Sequence, residues 1–214
     1  MGSEQTQRTK PLNLGGVVLC GGESRRMGQS KAWLPWKGTT LVQHTVSTVA
    51  KVADCVVVVA GPNQALPAMD ESISVLRDPV ELRGPLQGME VGFSELQSRG
   101  CDAALLVSCD LPNLSTEILE LLRDQLEQHD AVIPHDSKHL HPLLALYRTA
   151  SASDIQALLA QERRRPKFLI DQLDSKILDW PFLQSRGISP DVFCNINTPD
   201  EYQEAGGRPE DLNG

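Results

Sequence analysis

Apolar residues in this chain gather into short continuous runs, separated by longer stretches in which they recur every three or four positions. The runs Gly15 to Cys20, Asp54 to Ala60 and Ala103 to Ser108 lack polar alternation, as expected of parallel strands covered on both faces. Between the first two, Leu41, Val42, Thr45, Val46 and Val49 share one helical face, which predicts a helix over Leu41 to Lys51. A short strand is predicted at Ser74 to Arg77, and Gly84-Pro85-Leu86-Gln87-Gly88 opens a helix that runs to about Gln97. Ser115 can cap a further helix, with Glu117 in its first turn and Ile118, Leu119, Leu122 and Leu126 on its apolar side.

The second half is less regular. Strands are predicted at Asp130 to Ile133, His141 to Tyr147, Lys176 to Leu178 and Val192 to Asn195, and helices at Ser151 to Gln161, Lys167 to Leu173 and from Pro199 onward. This alternation predicts an α/β fold with a mostly parallel sheet, in a single domain over residues 13–205 between disordered tails at 1–12 and 206–214.

Composition narrows the function classes. A formal net charge of -8 over 214 residues opposes non-specific binding to nucleic acid or to an anionic membrane, so an anionic substrate needs a local basic patch. The longest apolar runs are far short of the ~20 residues that span a bilayer, and Met1 to Lys10 lacks the apolar segment of a secretory signal. A cytoplasmic protein is expected. The five cysteines, Cys20, Cys55, Cys101, Cys109 and Cys194, show no C-x-x-C spacing, which disfavours a disulfide framework and a zinc ribbon.

Candidate chemistry collects where strands end. In an open parallel sheet the ligand crevice lies outside the carboxyl ends of the strands, which places Gly21 to Lys31, Asp78 and Asp110 around one crevice. Glycines let backbone N–H groups approach phosphate oxygens, and Arg25, Arg26 and Lys31 supply cations beside them. The segment is neither G-x-x-x-x-G-K-[ST] nor G-x-G-x-x-G. Taken alone, Gly21-Gly22 reads more readily as a tight connection than as a phosphate site, and Asp110 reads as readily as a cap or turn residue as a metal ligand.

The run Leu19-Cys20-Gly21-Gly22-Glu23-Ser24-Arg25-Arg26-Met27-Gly28, followed by Lys31 and Leu34-Pro35, resembles the signature L-x-G-G-x-S-x-R-M-G-x-x-K-x-x-L-P of the molybdenum cofactor guanylyltransferases. These belong to the nucleotide-diphospho-sugar-transferase-like superfamily, whose fold is a Rossmann-like three-layer sandwich. The resemblance continues at Gly84-Pro85-Leu86-Gln87-Gly88, Cys109-Asp110-Leu111-Pro112, His141-Pro142-Leu143 with Ala145-Leu146-Tyr147, and Asn195-Ile196-Asn197-Thr198-Pro199. It implies that Leu19, Cys20, Gly21 and Gly22 border the guanine and that Arg26 and Lys31 hold the triphosphate. It further implies nucleotide-site roles for Asp78, Gly84 and Gly88, magnesium binding at Asp110, and acceptor or metal contacts from Asn195 and Asn197. Two departures stand out: Cys20 replaces a common alanine, and Val59-Ala60-Gly61 lacks an asparagine that some members place in the nucleotide site.

The implied reaction is GMP transfer from GTP to the terminal phosphate of molybdopterin, with Mg2+ as cofactor and pyrophosphate released. An already anionic acceptor phosphate needs no general base; the reaction needs charge neutralisation and in-line positioning, which Asp110 with a bound metal, Lys31 and Arg26 would supply. Transient contact with molybdenum cofactor insertion proteins or apo-molybdoenzymes is a further expectation. The alternatives are cytidylyl transfer to the same pterin or to a sugar phosphate, and a non-catalytic nucleotide-binding delivery module. Among the remaining residues, His135, His139 and His141 read as a surface loop in preference to a zinc site, with His141 on the substrate side by resemblance. Arg163-Arg164-Arg165 reads as a solvated face or an acceptor-phosphate contact, and Trp33 and Trp36 as core packing or ring stacking.

Overall fold

The structure is a computed structural model that describes residues 12–21, 30–79 and 84–208. Nine strands and seven helices follow in the order β1 (Leu14–Leu19), β2 (Pro35–Trp36), β3 (Thr39–Thr40), α1 (Leu41–Val49), β4 (Cys55–Ala60), β5 (Ser74–Arg77), α2 (Pro85–Ser98), β6 (Ala103–Ser108), α3 (Thr116–Asp124), β7 (Ala131–Pro134), β8 (Leu144–Arg148), α4 (Ala152–Ala160), α5 (Pro166–Ile170), β9 (Ser175–Leu178), α6 (Trp180–Ser185) and α7 (Pro199–Glu204), as counted among the described residues. Among these helices none is long and apolar enough to cross a membrane.

The main sheet has the order β5-β4-β1-β6-β8-β7-β9, and β2 and β3 form a separate hairpin. Only β8 runs against the others: it pairs antiparallel with β6 and with β7, while every other neighbouring pair is parallel. One apolar cluster, with α1, α3 and α6, fills one face; a second, with α2, α4 and α5, fills the other. The expected α/β three-layer sandwich is therefore the fold, and the continuous apolar runs are its doubly covered central strands.

Strand β1 is the centre of this arrangement, and its residues are buried throughout. A Cβ on Gly15 would lie 2.6 Å from Leu96 of α2, and one on Gly16 would run into Val49 of α1, so two helices press on β1 from opposite faces where it carries no side chains. Thr40 and Gln43 form a capping box that starts α1.

Several expectations change. Val192 to Asn195 is no strand: Pro190–Phe193 forms a 3-10 turn behind Ser189, whose hydroxyl accepts from the Asp191 N–H, and the extended residues after it pair with no strand. Helix α6 and the β2-β3 hairpin were not expected; each is too short for its apolar spacing to register as periodic. The strand expected from His141 begins three residues later, because His141 to Leu143 form the turn that leads into β8. The chain also remains held at Gly206 and Gly207, whose N–H groups donate to the carbonyls of Gln203 and Tyr202, two residues beyond the boundary expected at 205.

Candidate active site

The carboxyl ends of β1, β4, β5 and β6 open on one edge of the sheet. Because β8 runs the other way, the segment that enters it, His141-Pro142-Leu143, lies at this same edge. Extended pairing carries past the strand ends: the Cys20 N–H donates to the Val59 carbonyl at 2.8 Å, the Cys109 N–H to the Leu19 carbonyl at 3.0 Å and the Asp78 N–H to the Ala60 carbonyl at 2.9 Å. Backbone geometry alone thus fixes where Cys20, Asp78 and Cys109-Asp110 emerge.

Lys31 opens a 3-10 turn, Lys31–Trp33, that leads into the β2-β3 hairpin. Its ammonium donates to Asp110 Oδ2 at 3.2 Å and to Asn197 Oδ1 at 2.7 Å. The other Asp110 oxygen, Oδ1, accepts from the Ser108 hydroxyl at 2.6 Å. The side chains of Lys31 and Asp110 are only 18% and 17% exposed, so their attraction is less screened than that of a surface pair.

Asn197 reaches this cluster through its neighbours. The Ile196 N–H donates to the Asp110 carbonyl at 2.9 Å, and the Ile196 side chain is buried with Leu34, Trp36, Leu41 and Tyr202. Glu201 accepts from the N–H groups of Asn197 and Thr198, at 2.6 and 3.0 Å, as part of the capping box that starts α7. The Tyr202 hydroxyl then donates to the Pro35 carbonyl at 2.6 Å, which ties α7 to the hairpin after Lys31. Asn195 lines a cavity of about 200 Å³ together with Ser108, Asp110, His141 and Leu143. That cavity adjoins the Lys31-Asp110-Asn197 cluster.

His141 stacks on Phe193 with ring centroids 4.4 Å apart, and its Nε2 lies 3.1 Å from Asp136 Oδ2, outside hydrogen-bond alignment. Burial lowers the His141 pKa, and the neighbouring Asp136 carboxylate offsets only part of that. Burial would push Asp136 up, yet the N–H groups of His139 and Lys138, together with His141, hold its carboxyl down at about 2. The histidine is therefore a neutral wall of the cavity near pH 7. Among the described residues no group of three His, Cys, Asp or Glu side chains is placed to hold a metal.

The other sequence-predicted residues occupy different settings. Arg26 and Gly22, with Arg25, Met27 and Gly28, lie outside the described residues. Leu19 and Cys20 are buried, and the Cys20 thiol shares a hydrogen bond with the free Cys109 thiol; that hydrogen bond and burial push its pKa well up, so only its backbone is placed to meet a ligand. Gly88 is buried where α2 crosses β1, and a Cβ there would stand 3.1 Å from Leu19 Cδ2, which is a packing position. Gly84 precedes α2 with φ +81°, and a Cβ on it would stand 3.2 Å from the Arg164 carbonyl. Arg163 covers the Phe168 ring at 4.2 Å and Arg164 pairs with Glu162 at 3.6 Å. Trp36 is buried beside Tyr202, while Trp33 is 44% exposed and donates its indole N–H to the Ala65 carbonyl.

Sequence reasoning missed Ser108, Glu201 and Gln64. Ser108 reads as the end of an apolar run, although the S-x-D spacing to Asp110 fits its hydrogen bond; Glu201 was legible as a capping-box residue three positions after Thr198. Among the described residues the site combines one ammonium with hard oxygen donors, a carboxylate, a hydroxyl and two asparagine amides, beside a cavity. Such oxygens suit Mg2+, which takes one or two carboxylates from a protein and completes its shell with water and phosphate oxygens. The arrangement can neutralise and align phosphate groups.

Residues 16–177 match the family described as the MobA-like NTP transferase domain. A probable molybdenum cofactor guanylyltransferase of Mycobacterium tuberculosis is 39% identical over 166 residues, which span 76% of this chain and 81% of that protein. A protein of the same description from Bacillus cereus is 32% identical over 194 residues, 89% of this chain and 94% of its own. The solved molybdopterin-guanine dinucleotide biosynthesis protein A of Archaeoglobus fulgidus superposes with a TM-score of 0.71 at 24% identity, covering 89% of this chain and 96% of that one, which supports the fold.

Proposed function

We propose, because the chain belongs to the MobA-like NTP transferase family, that it transfers GMP from GTP to the terminal phosphate of molybdopterin, forming the guanine dinucleotide form of the cofactor and pyrophosphate. The observation that carries this reading is the convergence of Lys31, Asp110 and Asn197 from three distant parts of the chain onto one cluster at the strand ends. A scaffold that only packed would gain nothing from an ammonium and a carboxylate meeting at the mouth of a cavity.

The acceptor phosphate is anionic at neutral pH, so the chain need not supply a base; it must offset charge on the triphosphate and hold the two phosphates in line. Lys31, shared between Asp110 and Asn197, can transfer its hydrogen bonds to the leaving pyrophosphate while Asn197 keeps its backbone anchored on Glu201. Asp110 and the asparagine amides would hold Mg2+, which would supply charge neutralisation on the phosphates. Ser108, by donating to Oδ1, fixes the rotamer of Asp110 so that Oδ2 faces Lys31. The cavity beside Asp110, with neutral His141 and apolar Leu143 in its wall, suits the ring system of the acceptor. A cytosolic setting matches five free cysteines.

Pyrophosphate release from the pure protein with molybdopterin, Mg2+ and each of the four nucleoside triphosphates tests this. GTP should be the productive nucleotide, and Asp110→Asn and Lys31→Met should each lower turnover by ~100-fold or more, the range for removing one preorganised charge-stabilising group. Productive use of CTP alone would replace guanylyl by cytidylyl transfer. No release with any nucleotide would leave a delivery module as the reading.

A further inference from the structure

Both ends of the segment from Cys20 to Ser30 meet on a single side chain that neither the apolar pattern nor the cluster around Asp110 singles out. Gln64, in the turn after β4, donates its amide N–H to the Cys20 carbonyl at 2.9 Å and to the Ser30 hydroxyl at 3.4 Å. Its Oε1 accepts from the Gly61 N–H at 3.1 Å. A carbonyl can only accept and an N–H only donate, so these two backbone partners dictate the orientation of the carboxamide.

The turn that carries Gln64 is itself held. Arg77 of β5 donates to the carbonyls of Gly61 and Gln64, at 3.2 and 2.6 Å, and the Gln64 N–H donates to the Gly61 carbonyl at 3.2 Å. Trp33, which follows Lys31, donates its indole N–H to the Ala65 carbonyl at 3.0 Å. A Cβ on Gly61 would meet Gln64 Cβ and Oε1 at 3.7 Å, ordinary van der Waals contact, so Gln64 packs directly over Gly61. The turn is thus braced against β5 and against the 3-10 turn of Lys31 before Gln64 reaches across to Cys20.

We infer that Gln64 is a positioning residue for nucleotide binding: its carboxamide joins the two ends of the Cys20–Ser30 segment and locks the Cys20–Gly21 peptide plane. In a planar trans peptide the C=O and the following N–H point in opposite directions. Holding the Cys20 carbonyl against Gln64 therefore aims the Gly21 N–H away from it, with no side chain at Gly21 to obstruct a ligand: a Cβ there would meet none of the described residues within 4 Å. The inference rests on the nucleotide reading of this site and assigns the residue that presets its first backbone donor.

Binding of each nucleoside triphosphate with Mg2+, without pterin, is measured calorimetrically on the wild type, Gln64→Met and Gln64→Glu, alongside KM, kcat and thermal unfolding. Methionine matches the length of glutamine without its hydrogen bonds. Glutamate keeps an acceptor for the Gly61 N–H but has no donor for Cys20, and sets a carboxylate against that carbonyl. Both variants should weaken GTP binding and raise its KM about tenfold, the effect of losing one partly buried hydrogen bond, with kcat within about threefold and an unfolding midpoint within a few degrees of wild type. Affinity within twofold of wild type in either variant overturns the inference, as does a loss confined to kcat. Should Gln64→Met fail to fold, Gln64→Glu decides by the same criteria. If the wild type binds another base in place of guanine, the guanylyl reading fails while the variants, titrated with that nucleotide, still decide the role of Gln64; a wild type that binds no nucleoside triphosphate overturns both.

Discussion

Asp136 and His141 illustrate how single residues couple the cavity wall to pH. The Asp136 carboxyl sits at about 2, below its ordinary 3.8, so its contribution to stability is present above the ordinary value and is lost as pH falls through about 2. The His141 pKa is lowered as well, so the neutral ring contributes above its ordinary 6.5, and that contribution goes as acid protonates it. Asp136→Asn should therefore be less stable than wild type at pH 6, with the difference shrinking between pH 4 and pH 2 in a series of urea titrations; a difference that stays constant with pH would mean that the charge of Asp136 does not matter. At the same scale, Asn197→Ala removes an acceptor of Lys31 while leaving the backbone anchor on Glu201, and should lower kcat/KM by about tenfold, the effect of one charge-assisted hydrogen bond.

Elements set the precision of the site. Helix α2 lies so close to β1 that a Cβ on Gly92 would stand 2.6 Å from Val17 Cγ1, and neither partner is the tip of a flexible chain. Gly92→Ala should cost about 1–3 kcal/mol in urea unfolding, in the range of overpacked cores; a neutral result would mean that α2 can slide on the sheet. Helix α7 acts differently, because its capping box also anchors Asn197. Thr198→Ala should destabilise by ~1 kcal/mol, whereas Glu201→Ala, which also releases the Asn197 N–H, should in addition raise the KM for GTP. Equal kinetic effects from the two variants would separate the cap from the site. Much at this scale was legible beforehand: the central strands stand out because burial on both faces excludes polar residues, and α1 because its buried face repeats. Helix α6 and the hairpin before α1 were not, since two or six residues carry too few apolar repeats to set a period, and Val192 to Asn195 misled because a turn with buried Val192 and Phe193 has the composition of a strand.

At the scale of the molecule, a chain of net charge -8 concentrates an ammonium, a carboxylate and amides at one sheet edge, so attraction for a polyanion is local. With no protein-only metal cage among the described residues, metal binding should follow nucleotide binding. EDTA should abolish turnover while leaving the thermal midpoint of the nucleotide-free protein within a degree or two; a large fall would reveal a structural metal instead. The sequence by itself determined the α/β class, the central strands and the residue types at their ends, because strand burial and phosphate chemistry each demand particular side chains locally. Only the tertiary structure decided which of those residues meet. Lys31, Asp110 and Asn197 lie far apart in the chain and converge through the register of β1 on β6, the Ile196 N–H on the Asp110 carbonyl and the α7 anchor, while the reversed strand β8 brings His141 to the same edge and Gln64 acquired its role by what stands opposite it. Spacing along a chain constrains neighbours within a turn or a strand, whereas contacts across a sheet depend on strand order and direction, which no local pattern encodes.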